Sequence, residues 1–141
     1  MIFTGRIIGN QLEGIVELYH DYEWRTVCSH SFSSKEGDVF CRQIGFMSGK
    51  LATYILSRPY SAVWLDLVVC DGSESDLTNC KSTPWGVHTC YDTSLRACAM
   101  CKMDGKQSFY TQKASVLKHA RVSRDLYVQT PPTNFHTSNE K

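Results

Sequence analysis

The sequence has little net charge and no long hydrophobic run, and both absences limit what the protein can do. Its 15 Lys/Arg and 14 Asp/Glu give a formal net charge of +1, whereas nucleic-acid binding usually requires a clustered basic face. No stretch approaches the ~20 apolar residues of a membrane-spanning helix. We therefore expect no specific nucleic-acid partner, and membrane association only through parts of a larger protein outside this chain.

The signatures of common catalytic sites are missing as well. The sequence contains no nucleophile elbow, no HExxH motif, no glycine-rich phosphate loop and no paired-carboxylate signal. We interpret the three tryptophans, Trp24, Trp64 and Trp85, as residues that pack in the core. Three histidines, His20, His30 and His88, are interpreted as loop or turn residues. The sequence thus predicts a protein that is not an enzyme.

Cysteine, in contrast, is abundant and confined to one block. The seven cysteines begin at Cys28 and end at Cys101, and the others are Cys41, Cys70, Cys80, Cys90 and Cys98. Such a density within about a hundred residues is typical of a small extracellular domain held together by disulfides. Residues 1–6 show neither the apolar core nor the cleavage site of an export signal, so we expect a fragment of a larger secreted or membrane protein.

Zinc binding and redox chemistry are the rival uses of these cysteines. Cys98 and Cys101 have the spacing of metal ligands, and His88 and Cys90 precede them closely. A zinc site of this type would need a second paired motif, and a redox motif would need a surrounding βαβ unit. Neither is present, so disulfides are the favoured interpretation.

The hydrophobic pattern predicts a hairpin followed by a helix. Residues 14–19 and 24–28 indicate two strands joined by a turn. Ser33 and Glu36 form a capping box for a helix over residues 34–44, which should direct Cys41 toward the core.

Further elements are predicted downstream of the helix. A short strand is expected within 50–56, a buried strand over 63–70, one or two helical turns over 75–80 and a closing strand over 95–100. Residues 102–141 carry seven Lys/Arg and three Asp/Glu, and we expect a polar basic tail or linker that is disordered. The alternative there is a short basic amphipathic helix over 112–122.

Six phrases of the sequence occur in an order and spacing that resemble one family. They are GIVELYH at 14–20, WRTVC at 24–28, VFCRQIGF at 39–46, VWLD at 63–66, ESDLTNC at 74–80 and WGVHTC at 85–90. Residues 5–101 closely resemble a scavenger receptor cysteine-rich (SRCR) domain of the six-cysteine form. The resemblance implies a small disulfide-rich α+β fold in which a curved antiparallel sheet cradles one helix.

The resemblance also implies a disulfide pattern. The bridges would be Cys28–Cys90, Cys41–Cys101 and Cys70–Cys80, although six cysteines alone allow fifteen pairings. Either Cys98 or Cys101 could close the bridge from Cys41, and we favour Cys101 on spacing. Cys98 would then be spare, or could link two chains in a disulfide-bonded dimer.

Members of the family often bind Ca²⁺ through acidic clusters, and this sequence retains them only in part. One family site corresponds here to Ser29, His30 and Asp92, and it is expected to be lost. A second site corresponds to Asp66, Asp71 and Glu74, with Leu67 in place of a family aspartate. A weak cation site at those three carboxylates is the hypothesis, and solvated loop carboxylates are the favoured alternative.

By resemblance, the function is extracellular ligand binding, as in a scavenger-receptor-like protein. The ligands would be proteins or polyanionic and microbial surfaces, in innate immunity, endocytosis or adhesion. Basic candidates for contacts with an anionic ligand are Arg25, Arg42, Lys50, Arg58 and Lys81. The alternative is an accessory module of a multidomain extracellular oxidase or serine protease whose catalytic domain is absent from this chain.

Overall fold

The computed structural model describes residues 4–53 and 62–103. Their regular elements, in chain order, are β1 (Gly5–Gly9), β2 (Glu13–His20), β3 (Glu23–Val27), α1 (Ser34–Gln43), β4 (Ser48–Leu51), β5 (Val63–Leu65) and β6 (Cys98–Lys102). Short 3₁₀ turns occur at Leu77–Asn79 and Thr93–Leu95. Arg58, the helix considered over 112–122 and nearly all of the predicted tail lie outside the described residues.

A six-stranded sheet organises the described residues. Its order is β4-β6-β2-β3-β5, and β1 also pairs with β2. Successive parts of β2 pair with β6 and then with β3, so this long strand connects the two halves of the sheet. All of the pairs are antiparallel except β3–β5, which is parallel. The predicted α+β class with a largely antiparallel sheet and one helix is confirmed.

The predicted hairpin corresponds to β2 and β3. Its two-residue turn, Asp21 and Tyr22, has φ angles of 49° and 64°. Positive φ at both central positions is the conformation of a type I′ turn, which matches the right-handed twist of the flanking strands. The turn places the Tyr22 side chain in solvent, where it is 89% exposed.

The predicted helix begins and ends within one residue of expectation. The Ser33 hydroxyl accepts from the backbone N–H of Lys35, and the Glu36 carboxylate accepts from the backbone N–H of Ser33, completing the capping box. Gly45 follows the helix with a φ of 98°, a conformation that glycine adopts without steric cost.

The main hydrophobic core lies between α1 and one face of the sheet. Its members include Val39, Phe40, Cys41 and Ile44 from the helix, and Val16, Leu18, Val27, Ala99 and Cys101 from the strands. A smaller cluster of Ile8, Ile15 and Cys98 lies apart from it. Side chains that alternate along β2 and β6 therefore supply two separate cores.

The apolar run over 63–70 is not one strand, contrary to the prediction. The strand β5 ends at Leu65, and Leu67 has a φ of 55°, which interrupts the extended backbone. Asp66, between them, is buried and fully engaged in hydrogen bonds. Hydrophobicity alone gave the wrong length because it carries no information about this local reversal of the backbone.

Two other strands differ in position from the prediction. β4 begins and ends earlier than the strand expected within 50–56, and β6 begins at Cys98 and not at Leu95. β1 was not predicted, although it contributes Ile7 to the main core and Ile8 to the smaller one.

Candidate functional site

Three disulfides connect the long loops to the sheet and helix. Cys28 is bonded to Cys90, and the bond joins the segment after β3 to the loop that precedes β6. The bond between Cys70 and Cys80 closes a much shorter loop, with a sequence separation of 10. Both pairs are those that the family resemblance implied.

The third disulfide joins α1 to the sheet through Cys41 and Cys101. Gly49 of β4 lies directly beside it, and a Cβ atom at that position would overlap the Cys41 sulfur. The strand can therefore cross this disulfide closely only because residue 49 has no side chain. Cys101, and not Cys98, is the partner of Cys41.

Cys98 lies outside these three disulfides. It belongs to the cluster with Ile8 and Ile15, whereas Cys101 belongs to the main core, as alternation along β6 predicted. Its side chain is buried. An intermolecular disulfide needs an accessible thiol, so this position argues against the dimer considered through Cys98.

Arg42 is engaged in holding the fold together, although its side chain is 30% exposed. Its Nε donates to Asp38 Oδ2 at 2.9 Å, one helical turn away. Its two terminal nitrogens donate to the carbonyl oxygens of Glu74 at 3.0 Å and Gly72 at 2.7 Å. These bonds use the fork of the guanidinium to attach the 71–74 loop to α1.

The remaining described basic candidates have different surroundings. Lys50 is exposed on β4, opposite Met100 of β6. Lys81 is exposed in an isolated bridge with Val69. Arg25 is the basic candidate that is held in place by both an ion pair and an aromatic ring.

An aromatic–arginine cluster, formed by Arg25, Trp64, His20 and Trp85, lies beside the hairpin. The Arg25 guanidinium carbon lies 4.0 Å from the centre of the Trp64 ring. Its Nη2 atom also forms a 2.7 Å ion pair with Glu23. Stacking and ion pairing together restrict the guanidinium, so an approaching ligand meets a preorganised donor.

The other half of this cluster is a stack of rings. His20 lies parallel to Trp85, with centroids 3.8 Å apart and an interplanar angle of 5°. Trp64 meets both rings edge-on, at 4.9 Å from His20 and 5.7 Å from Trp85. Trp64 is buried but Trp85 is 37% exposed, so the cluster presents an aromatic surface to solvent.

Sequence analysis missed this cluster. It assigned Trp85 to the core and His20 to a turn, and they are far apart in the chain. Parallel pairing of β5 with β3 brings Trp64 beside the hairpin, and the Gly86 N–H bonds to the Trp64 carbonyl at 2.8 Å. The local signal was Arg25 itself, a basic candidate for ligand contacts.

Asp66 is the buried carboxylate of the described region nearest to His30. It is 1% exposed, and its Oδ1 lies 3.1 Å from His30 Nδ1. Oδ1 also accepts from the Leu67 N–H, while Oδ2 accepts from the Thr89 N–H at 2.9 Å and from its hydroxyl. Burial raises the pKa of Asp66, but these hydrogen bonds outweigh it and lower the pKa overall.

Among the described residues, no group of three or more candidate metal ligands within 4.8 Å of one another contains Asp66 together with Asp71 or Glu74. Glu74 accepts from the backbone N–H groups of Asp71 and Gly72, and Asp71 accepts from the N–H and hydroxyl of Ser73. These hydrogen bonds order the loop itself, and those from Ser73 lower the pKa of Asp71. Ca²⁺ requires six to eight oxygen ligands, so a weak cation site at Asp66, Asp71 and Glu74 stays a prediction.

The family model described as the scavenger receptor cysteine-rich domain matches residues 8–102. The chain is 36% identical over 85 residues to the macrophage receptor MARCO of Mesocricetus auratus. This alignment covers 60% of this chain and 17% of that protein. It is 40% identical over 85 residues to lysyl oxidase homolog 2 of Mus musculus, covering 57% of this chain and 11% of that protein.

A crystal structure of similar fold supports the same relationship. The SRCR domain of mouse MARCO, solved in a dimeric form, aligns with a TM-score of 0.58 at 33% identity. The alignment covers 69% of this chain and 93% of that one. This chain spans less than a fifth of the length of the two curated relatives. Among the described residues, no helix is long and apolar enough to cross a membrane.

Proposed function

Because this chain belongs to the scavenger receptor cysteine-rich family, we propose that it is the extracellular ligand-binding module of a scavenger-receptor-like protein. The SRCR domain is a non-catalytic binding module. The proposed domain spans residues 5–101 and is of the six-cysteine form, with Cys98 as an additional thiol. Its ligands would be proteins or polyanionic surfaces met outside the cell.

The aromatic–arginine cluster is the observation that carries this proposal. The Arg25 side chain is 27% exposed, and its ion-pair partner Glu23 is 57% exposed. An anionic group of a ligand can therefore approach the guanidinium from solvent and compete with Glu23 for its donors. Trp85 would contribute apolar contact beside it, in the combination of arginine and aromatic anchors common at binding hot spots.

The proposed contact does not use Ca²⁺. The carboxylates of the predicted cation site, Asp66, Asp71 and Glu74, accept hydrogen bonds from protein N–H groups, which supports a contact that does not depend on the ion. Binding through Arg25 should instead weaken with salt, because ions screen an exposed charge pair.

A binding assay with an immobilised sulfated polysaccharide tests the proposal. Arg25→Gln should lower affinity about tenfold, which corresponds to the loss of one charge-assisted hydrogen bond. Arg25→Lys should lower it partly, since it keeps the charge but loses the planar stacking. Lys102→Gln, at the end of β6, removes the same charge elsewhere and serves as the matched control.

Two outcomes would oppose the proposal. Equal binding by Arg25→Gln and the parent protein would place the ligand elsewhere. Loss of binding on addition of a chelator would show that a divalent cation takes part. Binding to an immobilised protein ligand but not to the polysaccharide would restrict the proposal to protein recognition.

The second candidate is an accessory module of an extracellular oxidase. The similarity to lysyl oxidase homolog 2 favours it, since the matched segment makes up 11% of that protein. Sequencing of the full-length transcript would decide between the two. An oxidase domain in the same reading frame would support the accessory role, and a transcript without a catalytic domain would support the receptor.

A further inference from the structure

The Cys28–Cys90 disulfide lies beside two other side chains with metal-binding atoms. One ligand atom from each of Cys28, His30, Asp66 and Cys90 lies within 4.8 Å of every other. The His30 Nδ1 atom is at the centre of the contacts, 3.7 Å from the Cys90 sulfur and 3.1 Å from Asp66 Oδ1. Two sulfurs, one imidazole nitrogen and one carboxylate oxygen therefore converge.

The two separations from His30 Nδ1 are close to those in a tetrahedral zinc site, whereas the two sulfurs must move apart once their bond is reduced. Zinc bonds of about 2.3 Å to sulfur and about 2.0–2.1 Å to nitrogen or oxygen place neighbouring ligand atoms roughly 3.3–3.8 Å apart. The contacts that His30 makes fall near this range without any rearrangement of its ring. On zinc binding, the direct contact between His30 Nδ1 and Asp66 would be replaced by one bond from each residue to the ion.

The surroundings favour a site that is largely closed to solvent. Cys28, Cys90 and Asp66 are almost fully buried, whereas the His30 side chain is 37% exposed. The hydrogen bonds from the backbone N–H groups of Leu67 and Thr89 fix the orientation of the Asp66 carboxylate. Such outer partners hold the ligands of a metal site in orientation.

We propose that Cys28, His30, Asp66 and Cys90 form a Zn²⁺ site when the Cys28–Cys90 disulfide is reduced. In the oxidised protein the two sulfurs are bonded to each other, and His30 and Asp66 alone are too few ligands for a structural zinc site. The disulfide and the zinc ion are then alternative states of one site. This proposal is independent of the ligand-binding role of Arg25.

The chemistry balances with a dithiol as the reductant. The dithiol gives two electrons and two protons to the Cys28–Cys90 bond and becomes a disulfide itself. Zn²⁺ then displaces the two thiol protons, which leave to solvent, and binds both thiolates. His30 would bind as the neutral tautomer that carries its proton on Nε2, because Nδ1 must offer its lone pair to the ion.

A second cysteine cluster provides an internal comparison. Cys70, Glu74 and Cys80 also lie within ligand distance of one another, but they supply only three groups and no histidine. Both oxygens of Glu74 already accept from the backbone of its own loop. Glu74→Gln therefore removes a carboxylate beside a disulfide without touching the proposed site, and is the matched control for Asp66→Asn.

The test is zinc competition with a chromophoric chelator on the full chain, before and after limited reduction by a dithiol. The dithiol is removed before zinc is added, and alkylation and peptide mass mapping of a separate aliquot identify the species in which Cys28 and Cys90 alone have been released. That species should bind one Zn²⁺ per chain, and the oxidised protein should bind none. His30→Ala and Asp66→Asn should weaken binding by at least about 100-fold, more than loss of an outer-shell partner does, while Glu74→Gln should not change it.

Cobalt substitution and one further variant test separately whether the cysteine sulfurs bind the metal. Co²⁺ bound at the site should show thiolate-to-metal charge-transfer absorption that disappears in His30→Ala. Cys90→Ala frees Cys28 without a reductant and should bind Co²⁺ with a weaker band of this kind. If reduction unfolds the chain, Zn²⁺ should restore the circular dichroism spectrum, because metal binding is coupled to folding.

Three results would overturn the proposal. They are a reduced protein that neither binds Zn²⁺ nor refolds in its presence, equal zinc affinity of His30→Ala and the parent, and equal binding by the oxidised form.

Discussion

Arg6 and Glu17 face each other across β1 and β2 and form an ion pair that is almost completely buried. Arg6 Nη2 lies 2.7 Å from Glu17 Oε1, and each side chain is 7% exposed. The Arg6 guanidinium also lies 4.2 Å above the centre of the Trp24 ring. The pair between Arg25 and Glu23 has the same 2.7 Å separation but is more exposed, at 27% and 57%, so the two pairs test the effect of burial within one protein.

Glu17→Ala should destabilise the protein by about 3–5 kcal/mol, because it leaves the Arg6 charge buried without its partner. Glu23→Ala removes an exposed pair and should cost about 0.2–1 kcal/mol. Urea denaturation of both variants measures the two free energies of unfolding. Equal losses would show that burial does not govern the strength of these pairs.

Glu36→Gln should lower stability by about 2–3 kcal/mol at neutral pH, since one amide cannot accept all the hydrogen bonds of this buried carboxylate. The carboxylate accepts from the N–H of Ser33 and, at 2.7 Å, from the N–H of Cys70. Burial raises the pKa of Glu36, but the hydrogen bonds from Ser33 and Cys70 outweigh it, and the pKa falls below its ordinary value of 4.5.

The pH dependence of this effect follows from the lowered pKa. The stability that ionised Glu36 contributes is fully present above the unfolded value of 4.5 and is lost as the pH falls through the lower folded value. The difference between the parent and Glu36→Gln should therefore shrink in acid. Glu13→Gln is the control, and a difference for Glu36→Gln that stays constant with pH would contradict the prediction.

Leu67→Asn should stabilise the protein by about 0.5–1 kcal/mol. Leu67 has a φ of 55° and is half exposed, so it loses little packing, and asparagine tolerates the left-handed conformation better than leucine. Val69→Asn is the matched control, because Val69 is equally exposed but does not have a positive φ. Thermal unfolding measures the stability of both variants. A gain in stability at both positions would mean that the loss of exposed apolar surface, and not the backbone conformation, is the cause.

Alkylation of the folded protein without a reductant should label at most one cysteine, and slowly. Six cysteines form disulfides, and Cys98 is buried beside Ile8 and Ile15. After reduction in denaturant, seven labels should be found by intact mass. Rapid labelling of several cysteines in the folded state would contradict the disulfide framework.

Elements whose signals are local were predicted well. The capping box of Ser33 and Glu36 and the periodicity after it placed α1 within one residue, and the β2–β3 hairpin followed from alternation around a polar turn. Alternation along β6 also predicted that Cys98 and Cys101 would face opposite sides of the sheet. In each case, the residues that determine the local structure lie close together in the sequence.

The hydrogen-bond partners of individual side chains were not predicted. Arg42 was considered a ligand contact, which stays a prediction, and the structure shows that it also bonds to the loop around Gly72 and Glu74. Asp66 was grouped with Asp71 and Glu74, but its nearest titratable partner is His30. These outcomes depend on hydrogen-bond partners that are some thirty residues away in the chain.

The sequence by itself determined the family, the disulfide-rich α+β class and the local elements, because cysteine spacing, capping residues and hydrophobic periodicity act over short stretches of chain. The tertiary structure decided what the charged and aromatic side chains do. Parallel pairing of β5 with β3 brings Trp64 beside Arg25, and the Cys28–Cys90 disulfide holds Cys90 next to His30. Such contacts arise from packing between distant segments, and no local pattern encodes them.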